Sequence, residues 1–250
     1  MRKKMLAAVL LGACFLLGGC TSREEAAKKL LEERYGEEFV VHQTWSSGDS
    51  YAVCSPKNNR NVVFELRFSE DVGKIWNDRY VSNVVSLQIS EKLQKELGKY
   101  FPDCYVHVQG DYNVGDSYLG FSDIQSVTPE MYIERYPRAD FTVRVYVEKE
   151  KLRSDTIEKE YLYFSESLQE EMENGKLPRL TILVYYVDSE QKSRLRNYFK
   201  SNDWEGDAAY KDIVGSKSFD WGISYCEHGR PVGKIDVTYE EYEEMRRGGN

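Results

Sequence analysis

The chain has 250 residues, with 34 Lys and Arg against 42 Asp and Glu, a net charge of −8 at pH 7. That acidity argues against nucleic acid as a partner and against a polybasic patch for a lipid surface. Hydrophobic residues at 41% and charged residues at 30% describe a globular chain rather than a disordered or fibrous one.

Residues 1–20 read MRKKMLAAVLLGACFLLGGC. Arg2, Lys3 and Lys4 precede an apolar run from Met5 to Leu17, and Gly18 and Gly19 stand just before Cys20. This order predicts a secretory signal over residues 1–19, and the run is short for a spanning helix. Leu17-Gly18-Gly19-Cys20 resembles the lipobox of bacterial lipoproteins. The resemblance implies cleavage before Cys20, a diacylglyceryl group on its sulfur, a tether over residues 20–23, and a place on the extracytoplasmic face of the cell membrane. Without residues 1–19 the basic residues fall to 31 against 42 acidic ones, a net of −11.

With Cys14 in the signal and Cys20 lipidated, Cys54, Cys104 and Cys226 remain. Three thiols allow one internal pair in an exported compartment. The strand-like settings of Cys54 and Cys104 favour that pairing, with three buried thiols as the alternative. His42, His107 and His228 stand at no metal-ligand spacing, so no metal or other cofactor is expected. Strand histidines such as His42 and His107 suit a core or its rim.

Residues 24–35 (EEAAKKLLEERY) predict an amphipathic helix with Ala27, Leu30, Leu31 and Tyr35 on one stripe, stopped by Gly36. A three-strand meander follows. Its first strand, Phe39 to Trp45, would place Phe39, Val41 and Trp45 on one face. Ser46 to Asp49 turns into a strand over Tyr51 to Cys54, and Val62 to Phe68 alternates most cleanly. Residues 75–100 predict one long helix or two abutting ones, closed by Pro102. A short strand runs from Cys104 to Gln109. Residues 110–127 read as a loop or linker, with a first stretch rich in Gly and Asp.

Thr128-Pro129-Glu130 marks a helix start. Phe141 to Glu148 alternates Phe141, Val143, Val145 and Val147 against Thr142, Arg144, Tyr146 and Glu148. Asp155 or Thr156 caps a helix striped by Ile157, Tyr161, Phe164, Leu168 and Met172. Leu180 to Val187 is apolar on both faces, as a central strand would be. Ser189 caps a helix through Leu195, Tyr198 and Phe199. Residues 201–217 read as irregular, Ile223–Cys226 and Ile235–Tyr239 as a final hairpin, and 239–247 as a short acidic helix. The fold class is α+β with mostly antiparallel strands and packed helices. It divides into units 24–109 and 128–250, with one continuous domain as the alternative.

The helix AAKKLLEERYG and the strands around Gly48-Asp49 make residues 24–72 similar to PepSY-type modules of exported bacterial proteins. That resemblance implies modulation of other exported proteins rather than catalysis. The whole chain also resembles small lipoproteins of Gram-positive bacteria.

Catalytic signatures are weak. There is no G-x-S-x-G elbow, and Gly215-Ser216-Lys217-Ser218 lacks the first glycine of a phosphate loop. Asp111, Asn113 and Asp116 could gather oxygen ligands, but their spacing fails the calcium-loop template. Paired glutamates such as Glu240-Glu241 suit solvated helix faces. Trp204, Tyr210, Phe219, Trp221 and Tyr225 cluster in an otherwise polar segment and form the candidate binding surface, with pinning of a loop to the core as the plainer alternative. These features predict a lipid-anchored binding or interaction protein, attached to the membrane through Cys20 and facing an envelope protein or glycan. The alternative is a small envelope hydrolase using Asp203, Asp207 or Asp220 with His228.

Overall fold

A computed structural model describes residues 22–110, 121, 123–200, 206–215, 219–224, 226–227, 230–231 and 237–247. Helix α1 (Arg23–Tyr35) starts where Ser22 and Glu25 form a reciprocal capping box and ends at Gly36, whose φ of 71° only glycine adopts freely. Ala27 and Leu31 are its fully buried residues.

Strands β1 (Phe39–Ser47), β2 (Asp49–Pro56), β3 (Phe64–Ser69) and β4 (Lys74–Asp78) form one antiparallel sheet in chain order. Two expectations are corrected here. The meander has four strands, because residues 74–78 pair with β3 instead of opening the next helix. A bulge between Val41 and Gln43 shifts the register, so Val41 still faces the core beside Cys54 while Trp45 pairs with Tyr51 on the outer face. Period-two counting through a bulge assigns every later residue to the wrong side.

Helix α2 (Tyr80–Leu97) buries Val81, Val84, Val85, Ile89, Leu93 and Leu97. Its first residue, Tyr80, fills the corner between Tyr35, Phe39 and Phe64, with ring centroids 5.0, 5.3 and 5.0 Å away. The second sheet runs in the order β5 (Tyr105–Gly110), β6 (Asp140–Glu148), β7 (Arg179–Val187), β8 (Trp221–Ser224). β6 and β7 are parallel and the other two pairs are antiparallel. The edge strand β5 is covered by α2. Ser90 donates to the Val106 carbonyl at 2.8 Å, and the Gln94 side chain donates to the Cys104 carbonyl at 2.8 Å while accepting from the Val106 N–H at 2.9 Å. Side chains thus occupy backbone groups that would otherwise invite another strand.

Helix α3 (Pro129–Arg135) begins at the Thr128 cap as expected. The β6–β7 crossover contains α4 (Ile157–Leu162), a π-helical stretch (Tyr163–Leu168) and α5 (Gln169–Glu173). No side chain caps α4; a short 3₁₀ turn over Ser154–Thr156 leads into it. After β7 come α6 (Ser189–Lys200) and α7 (Gly206–Val214), so part of the segment read as irregular is helical. Asp188 accepts from the Gln191 N–H at 2.7 Å and caps α6 in place of Ser189. The expected final hairpin is redrawn where it is described: Ile235 and Asp236 of its second strand lie outside the described residues, and Tyr239 opens the last helix. Ile223 pairs with Ile182 of β7, and the short pair β9 (Cys226–Glu227) and β10 (Arg230–Pro231) stands beyond it. The last helix, α8 (Tyr239–Arg246), carries the capping box of Thr238 and Glu241.

One hydrophobic core joins both sheets, from Ala27 and Leu31 through Phe64, Ile89 and Phe141 to Trp221 and Tyr242. Cys54 and Cys104 lie buried in it as free thiols, which corrects the favoured pairing. Cys54 belongs to the first sheet and Cys104 leads into the second. The C-terminal helix is tied down by a buried cluster. Arg246 donates from Nε to Glu160 Oε2 at 2.5 Å and from its terminal nitrogen to Oε1 at 3.0 Å. Thr156 and Tyr242 donate to the same carboxylate at 2.5 and 3.1 Å.

Candidate functional site

The second sheet has two unlike faces, and β6 shows why. Its valines point to the shared core, while Thr142, Arg144 and Tyr146 point the other way. Strand register extends these into three rows across the outer face. Tyr105, Tyr146 and Tyr185 form the first row. His107, Arg144, Leu183 and Gly222 form the second. Gln109, Thr142, Thr181 and Ser224 form the third.

Helices α6 and α7 roof the tyrosine row. Leu195, Ile213 and Val214 are buried against Tyr146 and Val187, with Tyr198, Phe199 and Tyr210 packed alongside. Tyr146 stacks on Tyr185 at 5.1 Å, and its hydroxyl meets that of Tyr210 at 3.0 Å. Burial keeps both phenols protonated, raising Tyr146 well above the usual tyrosine range and Tyr210 to about 12. The roof reaches the second row through Phe199, whose ring lies flat on His107 at 3.7 Å. Burial, helped by the positive charge of Arg144, pushes His107 down to about 3, so its ring is neutral at physiological pH.

Arg144 stands where the roof ends. One terminal nitrogen donates to Gln109 Oε1 at 2.8 Å, and the guanidinium lies 6.0 Å from the Tyr210 ring centre. Its Nε is buried with no hydrogen-bond partner, and among the described residues no carboxylate lies within 4.0 Å of its nitrogens. An arginine stays charged at any physiological pH. A buried donor left unmade costs about 1–3 kcal/mol. The row beside it is a ledge of hydroxyl and amide groups, where Thr181 Oγ1 and Ser224 Oγ are 3.1 Å apart. Chemically the arrangement offers one fixed positive charge, a fork of N–H donors and neighbouring hydroxyls, all held on a rigid sheet. It suits recognition of an anionic oxygen group. Among the described residues no group of three His, Cys, Asp or Glu is placed to hold a metal ion.

The aromatic surface expected from sequence is divided by the sheet. Tyr210 belongs to this face. Trp221 lies on the opposite face, 3% exposed, wedged against Phe164 and Tyr242 with its indole N–H donating to the Tyr186 hydroxyl at 3.0 Å. Phe219 is 44% exposed. Trp204, Tyr225, Asp203, His228 and Cys20, the expected lipidation residue, lie outside the described residues, as does segment 111–120 with its expected oxygen ligands. The Asp207 side chain is likewise outside them. Asp220 has a structural partner: its carboxylate accepts from the Tyr186 N–H at 2.7 Å and extends the β7–β8 junction.

No protein-family profile matches the chain, and no curated protein matches its sequence. Among solved structures it is similar to a DUF1672 family protein from Staphylococcus aureus, at 12% identity over 66% of this chain and 78% of that one, with a TM-score of 0.31. It is also similar to a DUF5037 family protein from Ruminococcus gnavus, at 20% identity over 91% of this chain and 99% of that one, with a TM-score of 0.63. The overall fold is therefore shared with the Ruminococcus gnavus protein across nearly the full length of both chains.

Proposed function

We propose that the chain is a lipid-anchored binding protein of the extracytoplasmic membrane face, and that it engages an envelope protein or glycan through the outer face of its second sheet. The observation that carries this reading is Arg144, a partly buried cation whose Nε has no hydrogen-bond partner and which has no carboxylate within 4.0 Å among the described residues. A stability-driven sequence has little use for such a group, whereas a bidentate anionic oxygen group on the partner would satisfy it. The resemblance of residues 17–20 to a lipobox supports the anchor, and the similarity to PepSY-type modules agrees with binding.

Two measurements on cells test the two halves. Cys20→Ala should leave the chain uncleaved or release it from the membrane fraction. A correctly cut variant that stays fully in that fraction contradicts the anchor. A photo-cross-linking residue in place of Thr142, on the polar ledge, should give a discrete adduct that Arg144→Met abolishes. An adduct undiminished by Arg144→Met contradicts the binding face.

A further inference from the structure

Cys20 lies two residues before Ser22, the residue that caps α1. Two residues reach at most about 7 Å. Whatever is attached at Cys20 is therefore held close to the N-terminal end of α1. That end is fixed to the first sheet, because Arg23 Nε donates to Glu70 Oε1 at 2.7 Å and Ser50 donates to the same carboxylate. Glu70 belongs to the β3–β4 turn and Ser50 is the second residue of β2. The register places the β1–β2 and β3–β4 turns at this one end of the sheet.

Apolar and aromatic side chains collect there. Val72, in the β3–β4 turn, is 68% exposed, and Trp76 is 42% exposed with the Lys74 ammonium 4.7 Å over its ring. Trp45 stacks on Tyr51 with centroids 5.4 Å apart and planes within 8°. The bulge that turns Trp45 out of the core is what puts it on this surface. Charge is arranged compatibly. Glu70 is paired with Arg23, and Asp49 with Arg67 at 2.5 Å, which leaves Asp71 as the unpaired acid of the two turns among the described residues.

We infer that this end of the first sheet is a second membrane contact, with Val72, Trp76 and Trp45 entering the headgroup region of the bilayer that holds the Cys20 lipid. The inference rests on the lipoprotein reading. Tryptophan favours the membrane–water interface, and Lys74 would meet lipid phosphates. Two or three such side chains bind a free bilayer weakly. On a chain already held by lipid the contact is intramolecular, and modest affinity suffices. The consequence is a fixed tilt of the body on the membrane in place of free swinging on a tether.

The test uses the full-length mature chain, purified with detergent and reconstituted into phosphatidylcholine–phosphatidylglycerol vesicles, with or without dibrominated phosphatidylcholine. Brominated chains quench only tryptophans that touch the bilayer. The expected result is a loss of about a quarter or more of the emission, since two of the four tryptophans lie at this end. Trp45→Phe with Trp76→Phe should remove the quenching; both sites face outward, and an unchanged thermal midpoint confirms folding. Equal emission in the two vesicle types, with the lipid on Cys20 confirmed by mass, overturns the contact and leaves the lipoprotein reading standing. A mature chain whose mass shows no lipid overturns both. Quenching that persists in the double variant overturns the assignment to this end.

Discussion

Arg144 and His107 are neighbours on adjacent strands with opposite fates. The histidine gives up its charge under burial, and the arginine cannot. The histidine therefore carries a signature of its own. Its folded form takes a proton only near pH 3, while the unfolded chain takes one near 6.5. Between those values the unfolded state holds more protons, so stability is full above 6.5 and falls as pH drops toward 3. At about pH 5 the loss is about 2 kcal/mol, and His107→Phe, which keeps the stack on Phe199, should abolish it. Urea unfolding near pH 7.5 and pH 5 measures the difference. Equal acid losses in the wild type and the variant would contradict a neutral His107 held under Phe199. Glu148 titrates lower still. Hydrogen bonds from Lys192 and Ser189 hold its carboxyl down to about 2, so its contribution is lost only below about pH 4.5 as pH falls toward 2.

At the scale of elements, alternation and caps were the legible signals. The Thr128-Pro129 start, the Phe141–Glu148 alternation and the two-sided apolar β7 reappear as read, and the inward side chains of Val62–Phe68 are buried although the strand itself starts at Phe64, because each is fixed by neighbours in sequence. Two caps were misplaced locally, at α4 and at α6, and the larger failures are non-local. Residues 74–78 show a short apolar stripe that suits a helix start as well as a strand, and only the partner β3 decides. The bulge at Val41–Gln43 is likewise set by pairing with β2. Arg144 was legible as outward-facing. Its partial burial was not, because it depends on α6 and α7, and α7 was read as irregular. Trp221 takes the core position that was the plainer alternative to a binding surface, and only the pairing of β8 with β7 decides between the two.

The C-terminal latch gives an element-scale prediction. Glu160 is fully buried, and its ionic partner is Arg246. Arg246→Met should cost about 3–5 kcal/mol by leaving that carboxylate uncompensated, whereas adding Glu160→Leu should recover part of the loss. Denaturant unfolding of the single and double variants checks both. A single variant as stable as the wild type would show that α8 is held by packing alone.

At the scale of the molecule, the two sheets share one core through α2, and each keeps an outer face with a different character. The first carries exposed tryptophan beside the segment that leads to Cys20. The second carries a polar ledge and, where the aromatic roof ends, an arginine whose Nε has no partner among the described residues. A chain read from sequence as a lipoprotein thus has one face suited to the membrane and another suited to a partner. In the proposed function Arg144 serves something outside the chain. Its most direct test is the unfolding free energy of the full-length Arg144→Met variant beside the wild type at neutral pH. The variant should be as stable as the wild type, or more stable by about 1 kcal/mol, since an unmade buried donor is removed. A loss of about 1 kcal/mol or more would show that Arg144 holds the fold, and would contradict the binding face.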